Sequence, residues 1–213
     1  MELATSHETL STKERIIEGA SELFALKGYD GTSVRDIATH CDCNVSAVNY
    51  HFKNKENLYW EIYARAYEWF EAGGKQLAEQ SQSTEDLARR LFEFLLSDRQ
   101  HVKNTFKLLI SDAIGKPGED RFLVYFEGDK AGPPNGEVLG QFLMKDTGVS
   151  DPRLVIWAAR AILAPMFHWA IMLGTDKFNR FCKGAPFAEE DHIREDLQMT
   201  TRAIVHYLKS QKN

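Results

Sequence analysis

In the segment Val45–Phe52, VSAVNYHF, the hydrogen-bonding side chains and the apolar ones separate onto two faces of a helix. Val48 and Phe52 stand four apart on one face, which leaves Ser46, Ala47, Asn49, Tyr50 and His51 on the other. These five are small or polar and offer donors and acceptors of the kind a nucleic-acid groove takes up. The same pattern fits a solvent-facing helix of a three-helix bundle, and periodicity alone does not separate the two. Other chemistries have less support. The seven histidines (7, 40, 51, 101, 168, 192 and 206) show no H-E-x-x-H or paired-cysteine spacing, so no metal site is expected. Neither a nucleophile elbow, a phosphate-cradling glycine loop, a paired-carboxylate arrangement nor a cofactor motif is present, so an enzyme is not expected and no cofactor is implied.

The elements that must carry this face are helical, and no alternating run is long enough for a convincing strand. Ser11-Thr12-Lys13-Glu14 is a capping box opening a first helix with Ile16, Ala20, Leu23 and Phe24 as its stripe and Gly28 as its stop. A short second helix follows Thr32 and Ser33, with Val34, Ile37 and Ala38 inward. Asp42 marks a turn, and Asn44 caps the third helix, Val45 to Phe52. Three short helices with a tight turn between the last two have helix-turn-helix geometry. Val34, Ile37, Ala38, Cys41, Cys43, Val48 and Phe52 can converge on one core with Ile16, Ala20 and Phe24. A long helix is expected from Lys55 to about Glu79, touching both halves of the chain and so suited to couple them. Further helices are expected near 84–97, 102–114, 136–146, 152–173 and 189–210. The Gly- and Pro-rich stretch 115–136 reads as the main loop break.

From Thr12 to Leu58 the chain closely resembles the DNA-binding domain of the tetracycline-repressor (TetR) family, through TKERIIEGASELFALKGYDGTSVRDIA and then CNVSAVNYHFKNKENLY. Two departures are Asn49, where many members carry an aromatic residue, and Asp42, where glycine is usual; aspartate tolerates the left-handed region better than most residues. The resemblance implies an all-α protein: a three-helix helix-turn-helix domain at 10–58 joined to a helical ligand-binding and dimerisation domain at 59–213. By position, Tyr50 and His51 would contact phosphates, with Lys55 and the fourth helix's N-terminus beside them. Ser33 and Arg35 would hold a phosphate, or Arg35 a base edge. Ser46, Ala47 and Asn49 are the candidates for readout, since asparagine pairs bidentately with adenine and a methyl packs on the thymine methyl. In the family pattern Cys41 and Cys43 fall on small apolar core positions, where cysteine behaves as a small hydrophobe rather than a sensor.

Net charge is −5, and the first 58 residues hold six Lys and Arg against nine Asp and Glu. Any DNA contact must therefore depend on where the bases sit, because the bulk field is unhelpful. Three cysteines and the lack of a visible secretory signal fit a reducing, cytoplasmic setting. The run Leu154 to Leu173 has the length of a membrane span. It carries Arg160 and His168 and is interrupted by Pro165, so it reads as a buried helix at the centre of a dimer interface, with no membrane involved. Its partner would be the last helix, with Ile193, Leu197, Ile204 and Leu208 in the interface. Phe106, Ile110, Trp157, Met166, Phe167 and His168 are the expected lining of a cavity for an apolar small molecule. The expectation is a homodimeric repressor on a pseudo-palindromic double-stranded operator, released by that effector. A DNA-binding dimer governed by a protein partner, or by no ligand, is the alternative, and behind it stands an enzyme with a DNA-binding appendage, which no motif supports.

Overall fold

The computed structural model describes residues 10–109 and 134–211. They form ten α-helices and one short 3-10 turn, with no strand among the described residues. The helices are α1 (Thr12–Lys27), α2 (Val34–His40), α3 (Val45–Phe52), α4 (Lys55–Glu79), α5 (Thr84–Ser97), α6 (Arg99–Leu109), α7 (Gly136–Thr147), α8 (Pro152–Leu173), α9 (Asp176–Phe181) and α10 (Glu190–Ser210). Of the described residues, 10–66 with 104–109 make one compact unit, and 67–103 with 134–211 make the other.

In the first unit the expected core forms. Ile16, Ala20, Phe24, Ile37, Ala38, Cys41, Val48 and Phe52 are buried together, and Val34 and Cys43 pack at its edge. The start of α4 adds Leu58, Tyr59 and Ile62 to this core, past the boundary at 58 that the motif suggests. Caps set the helix starts. The Ser11 hydroxyl accepts from the Glu14 N–H at 3.2 Å, and the Asn44 side chain accepts from the Ala47 N–H at 2.7 Å. Gly28 closes α1 with φ +75° and ψ 171°, a region open essentially to glycine alone. Buried Thr32 then donates to the Gly28 carbonyl at 2.8 Å. The close approach of α1 and α2 depends on Gly19, where a Cβ would lie 2.5 Å from Cys41 Sγ. The C-terminal part of α6 also belongs to this unit: Lys107 donates to the Ala25 carbonyl, near the end of α1, at 3.2 Å.

The second unit is built on α8, which packs against α5, α7 and α10. Its fully buried side chains include Leu87, Leu91, Leu139, Leu143, Ile162, Leu163, Met166 and Ile193. Polar ties fix the helix ends. Thr84, at the start of α5, donates through N–H and hydroxyl to Asp146 Oδ2 at 2.6 and 2.7 Å. Arg194 of α10 reaches both oxygens of Glu93 in α5 at 2.7 and 3.3 Å. Helix α6 begins three residues before its expected start because Asp98 caps it, accepting from the His101 N–H at 2.9 Å. Most of the expected loop 115–136 lies outside the described residues. Helix α9, six residues long, falls where the sequence shows no helical period.

One expectation about this unit is corrected. Pro165 does not interrupt α8, which runs unbroken from Pro152 to Leu173; a proline gives up its own N–H bond and crowds the carbonyl four residues back, a cost that the packing of α8 against α5, α7 and α10 offsets. Ile193, Leu197, Ile204 and Leu208, expected in a dimer interface, are 0, 6, 8 and 0% exposed and pack within the second unit. Six residues are expected around a ligand. Met166 and Phe167 are buried, whereas Trp157 and His168 are exposed on α8. Phe106 belongs to the first unit, and Ile110 lies outside the described residues. The cleft that reaches Met166, between α5 and α10, holds about 10 Å³, room for one water.

Helix α8 is also long and apolar enough to cross a membrane by length and composition, with 44% of its apolar window buried. The rest of that window is half-buried or exposed. The uncovered face carries Ile156, Trp157, Arg160, Ala164 and His168. Beside it on α10 stand Met199, Ala203, His206 and Tyr207, all exposed, and Trp157 meets Tyr207 edge-on at 5.5 Å.

Candidate nucleic-acid interface

Helix α3 is held by two side chains and leaves the rest outside. Val48 and Phe52 are 1 and 4% exposed within the first core. Ser46, Asn49, Tyr50 and His51 are exposed and Ala47 is half-buried. All five residues of the expected recognition face thus share one side of one helix. Tyr50 is 84% exposed, and its ring stands edge-on to His51 at 5.2 Å. A tyrosine so displayed, with a hydroxyl at its tip, suits a phosphate oxygen better than water alone. The turn before α3 runs through Asp42 at φ +47°, the left-handed conformation that glycine would supply more cheaply. Lys53, at φ +65°, ends α3 and donates its N–H to the Asn49 carbonyl at 2.9 Å.

Helix α2 offers a less simple surface. Ser33 and Asp36 form a reciprocal cap: the Asp36 N–H donates to Ser33 Oγ at 3.1 Å and the Ser33 N–H to Asp36 Oδ2 at 2.8 Å. The Ser33 hydroxyl also donates to that carboxylate. These hydrogen bonds, the hydroxyl's first, hold the Asp36 carboxyl below the usual range. The Ser33 hydroxyl is therefore engaged locally, and what α2 can present to a phosphate is its backbone and Arg35. The Arg35 side chain is exposed and has no carboxylate within ion-pair distance among the described residues.

The structure gives Lys55 a task the motif did not reveal. Its ammonium donates to the Tyr29 carbonyl at 2.8 Å and the Thr32 carbonyl at 3.0 Å, and sits 3.8 Å from the centre of the Tyr29 ring. It thereby ties the α1–α2 connection to the first turn of α4. Two of its three donors are occupied, so its positioning role precedes any contact with phosphate. A sequence signal existed for this: Tyr29 and Thr32 lie in the glycine-bounded turn, where carbonyls left free by α1 must find donors. A second tie joins α1 to α4. Lys13 meets Glu61 at 3.0 Å, and Arg65 reaches Glu61 at 3.4 Å and Glu14 at 3.2 Å. The Lys13 hydrogen bond leads the causes that keep the Glu61 carboxyl below its ordinary value.

The cysteines fit the core reading. Cys41 is buried, and desolvation pushes its thiol up to about 11; Cys43 is raised for the same reason. Neither is a thiolate near pH 7, and no cluster of metal-ligating side chains occurs among the described residues.

Comparison with known proteins agrees with this geometry. Residues 16–62 match the model of the bacterial regulatory proteins of the tetR family. The chain is 38% identical over 100 residues to the probable HTH-type transcriptional regulator YttP of Bacillus subtilis, covering 45% of this chain and 48% of that one. It is 30% identical over 92 residues to IcaR of Staphylococcus epidermidis, a biofilm operon HTH-type negative transcriptional regulator, covering 43% and 50%. The matches span about half the length of these curated relatives. A TetR-like transcriptional regulator from Rhodococcus sp. RHA1 shares the fold over 94% of this chain and 97% of that one, with a TM-score of 0.64 at 15% identity. The displayed α3 face, the buried three-helix core and these likenesses together make residues 16–62 similar to the helix-turn-helix segment of the tetR family of bacterial regulatory proteins.

Proposed function

We propose that the chain is a cytoplasmic homodimeric repressor, that it binds a pseudo-palindromic operator through α3, and that a small apolar effector bound in the second unit releases it. The observation that carries this reading is the polar outer face of α3, with Asn49 and Ser46 free to meet base edges and Tyr50 and His51 free to meet phosphates. One such helix reads only a few base pairs, and the first 58 residues hold six Lys and Arg against nine Asp and Glu, so a single copy would bind weakly. Two copies related by a twofold axis would read an inverted repeat.

The uncovered face of α8 and the adjoining edge of α10 support the twofold partner. Trp157, Ile156 and Tyr207 are large and exposed, Ala164 and Ala203 are small, and the whole is more apolar than a monomer surface ordinarily tolerates. A second copy packed by the same face would cover it in an isologous four-helix contact. The name of IcaR, a negative regulator, favours repression over activation. Release would follow from linkage: an effector that prefers the arrangement unsuited to DNA weakens DNA binding by the factor that DNA weakens effector binding.

Selection of genomic DNA fragments by the purified protein, followed by sequencing, tests this reading. An inverted repeat shared by the retained fragments is the expected result; retention without any common sequence would refute operator recognition.

A further inference from the structure

Buried polar atoms without a hydrogen bond are rare, because each gives up a bond to water and gains none. In the second unit two such atoms lie against one stretch of α4. Nε2 of His101 and Oδ1 of Asn135 are both buried without a partner among the described residues. The His101 ring lies over Trp69 and Phe70, with centroids 4.5 and 6.4 Å away. Trp69 in turn stacks on Phe94 at 4.2 Å, and Phe70 meets Phe167 edge-on at 5.6 Å. Burial lowers the His101 pKa, so the imidazole is neutral near pH 7.

Asn135 is 2% exposed and holds φ +67° immediately before α7. An asparagine in this place ordinarily caps its helix with the side-chain oxygen. Here it makes no such bond. Its N–H donates to Glu71 Oε1 at 2.8 Å, and its amide lies against Gly74, where a Cβ would overlap Oδ1. One residue earlier, a Cβ on Gly73 would lie 2.3 Å from the Phe94 ring. Two adjacent glycines inside a helix are each unfavourable relative to alanine. What they permit here is the approach of an aromatic ring and an amide oxygen to the α4 backbone.

Resting on the reading of an effector-responsive regulator, the geometry points to an effector site beside residues 69–74 of α4 that takes a neutral aromatic molecule bearing a hydroxyl or N–H donor. The Asn135 oxygen can only accept, and His101 Nε2 donates or accepts according to tautomer. The rings of Trp69, Phe70, Phe94 and Phe167 supply stacking and edge contacts. Glu71, beside Asn135, and Asp98, beside His101, are both carboxylates and disfavour an anion.

Fluorine-detected NMR titration of the full chain with 4-fluorophenol, 4-fluorotoluene and 4-fluorobenzoate tests the site with probes of one size. The phenol is expected to bind about tenfold more tightly than the toluene, the value of one buried hydrogen bond. The benzoate should bind no more tightly than the toluene. Asn135→Gly keeps the positive φ, and His101→Phe keeps a ring over Trp69. Each should bring the phenol to within about twofold of the toluene, and either variant suffices if the other does not fold. Absence of phenol binding, equal affinity for phenol and toluene, or a preference that survives both substitutions would overturn the site. Repeating the phenol titration with a selected DNA fragment separates the two claims. A phenol preference that depends on Asn135 and His101 while DNA affinity stays constant would uphold the site and refute effector-driven release.

Discussion

Helices α3 and α8 each turn toward solvent a face that their own unit does not bury, and the two faces differ in kind. On α3 the outward residues are Ser46, Asn49, Tyr50 and His51, hydrogen-bonding groups on a short helix anchored by Val48 and Phe52. On α8 they are Ile156, Trp157, Ala164 and His168, on a helix whose opposite side is the centre of the second unit. A polar face in water loses nothing by waiting for a ligand. An apolar face does, since each exposed Å² of hydrocarbon carries about 25 cal/mol of unrealised burial. The first is thus suited to a partner that comes and goes, and the second to one that stays.

The largest expected effect comes from charging the apolar face. Ala164→Glu or Trp157→Glu would bury unpaired carboxylates from both copies and should weaken the dimer by at least about 100-fold. Sedimentation velocity at micromolar concentration reads this directly, and an unmodified chain that sediments as a monomer would refute the comparison. Leu208→Ala offers the contrast, because Leu208 is fully buried within one subunit. It should lower stability by about 2–5 kcal/mol in denaturant unfolding through the cavity it leaves. A Leu208→Ala chain of unchanged unfolding stability that becomes monomeric would return that residue to the interface.

On the DNA side, Lys55→Ala removes two carbonyl contacts and the cation over Tyr29. It should destabilise the first unit by about 1–3 kcal/mol and weaken DNA binding while leaving the salt slope unchanged. A slope shallower by about one unit would instead make Lys55 a phosphate contact. Asn49→Ala has the most local effect. It should relax preference at one base pair of each half-site by about 1–3 kcal/mol, measured across a panel of operator variants, and a uniform loss would place Asn49 outside readout.

The two regions were also unequally legible in the sequence. Around α3, caps, turn residues and apolar spacing act within a few residues of one another, so Ser11, Gly28, Asp42 and Asn44 announce the elements they shape. Even there, the Lys55 tie to Tyr29 and Thr32 crosses more than twenty residues and was missed. In the second unit the helices were readable but their neighbours were not. A stripe such as Ile193, Leu197, Ile204 and Leu208 looks the same whether its own subunit or a second one buries it. Trp157 and His168 sit on a helix apolar all round, and only packing against α5, α7 and α10 decides which of its sides is outer. The Asn135 amide could not be foreseen at all, because its place depends on Gly74, sixty-one residues away in the chain.

The most direct test of the whole account is a binding titration at fixed salt with three duplexes: the selected inverted repeat, one isolated half-site, and the repeat with its half-sites respaced by half a helical turn. The account predicts tight binding to the intact repeat and far weaker binding to the other two, because two α3 faces must engage together. Equal affinity for the intact repeat and the isolated half-site would contradict it.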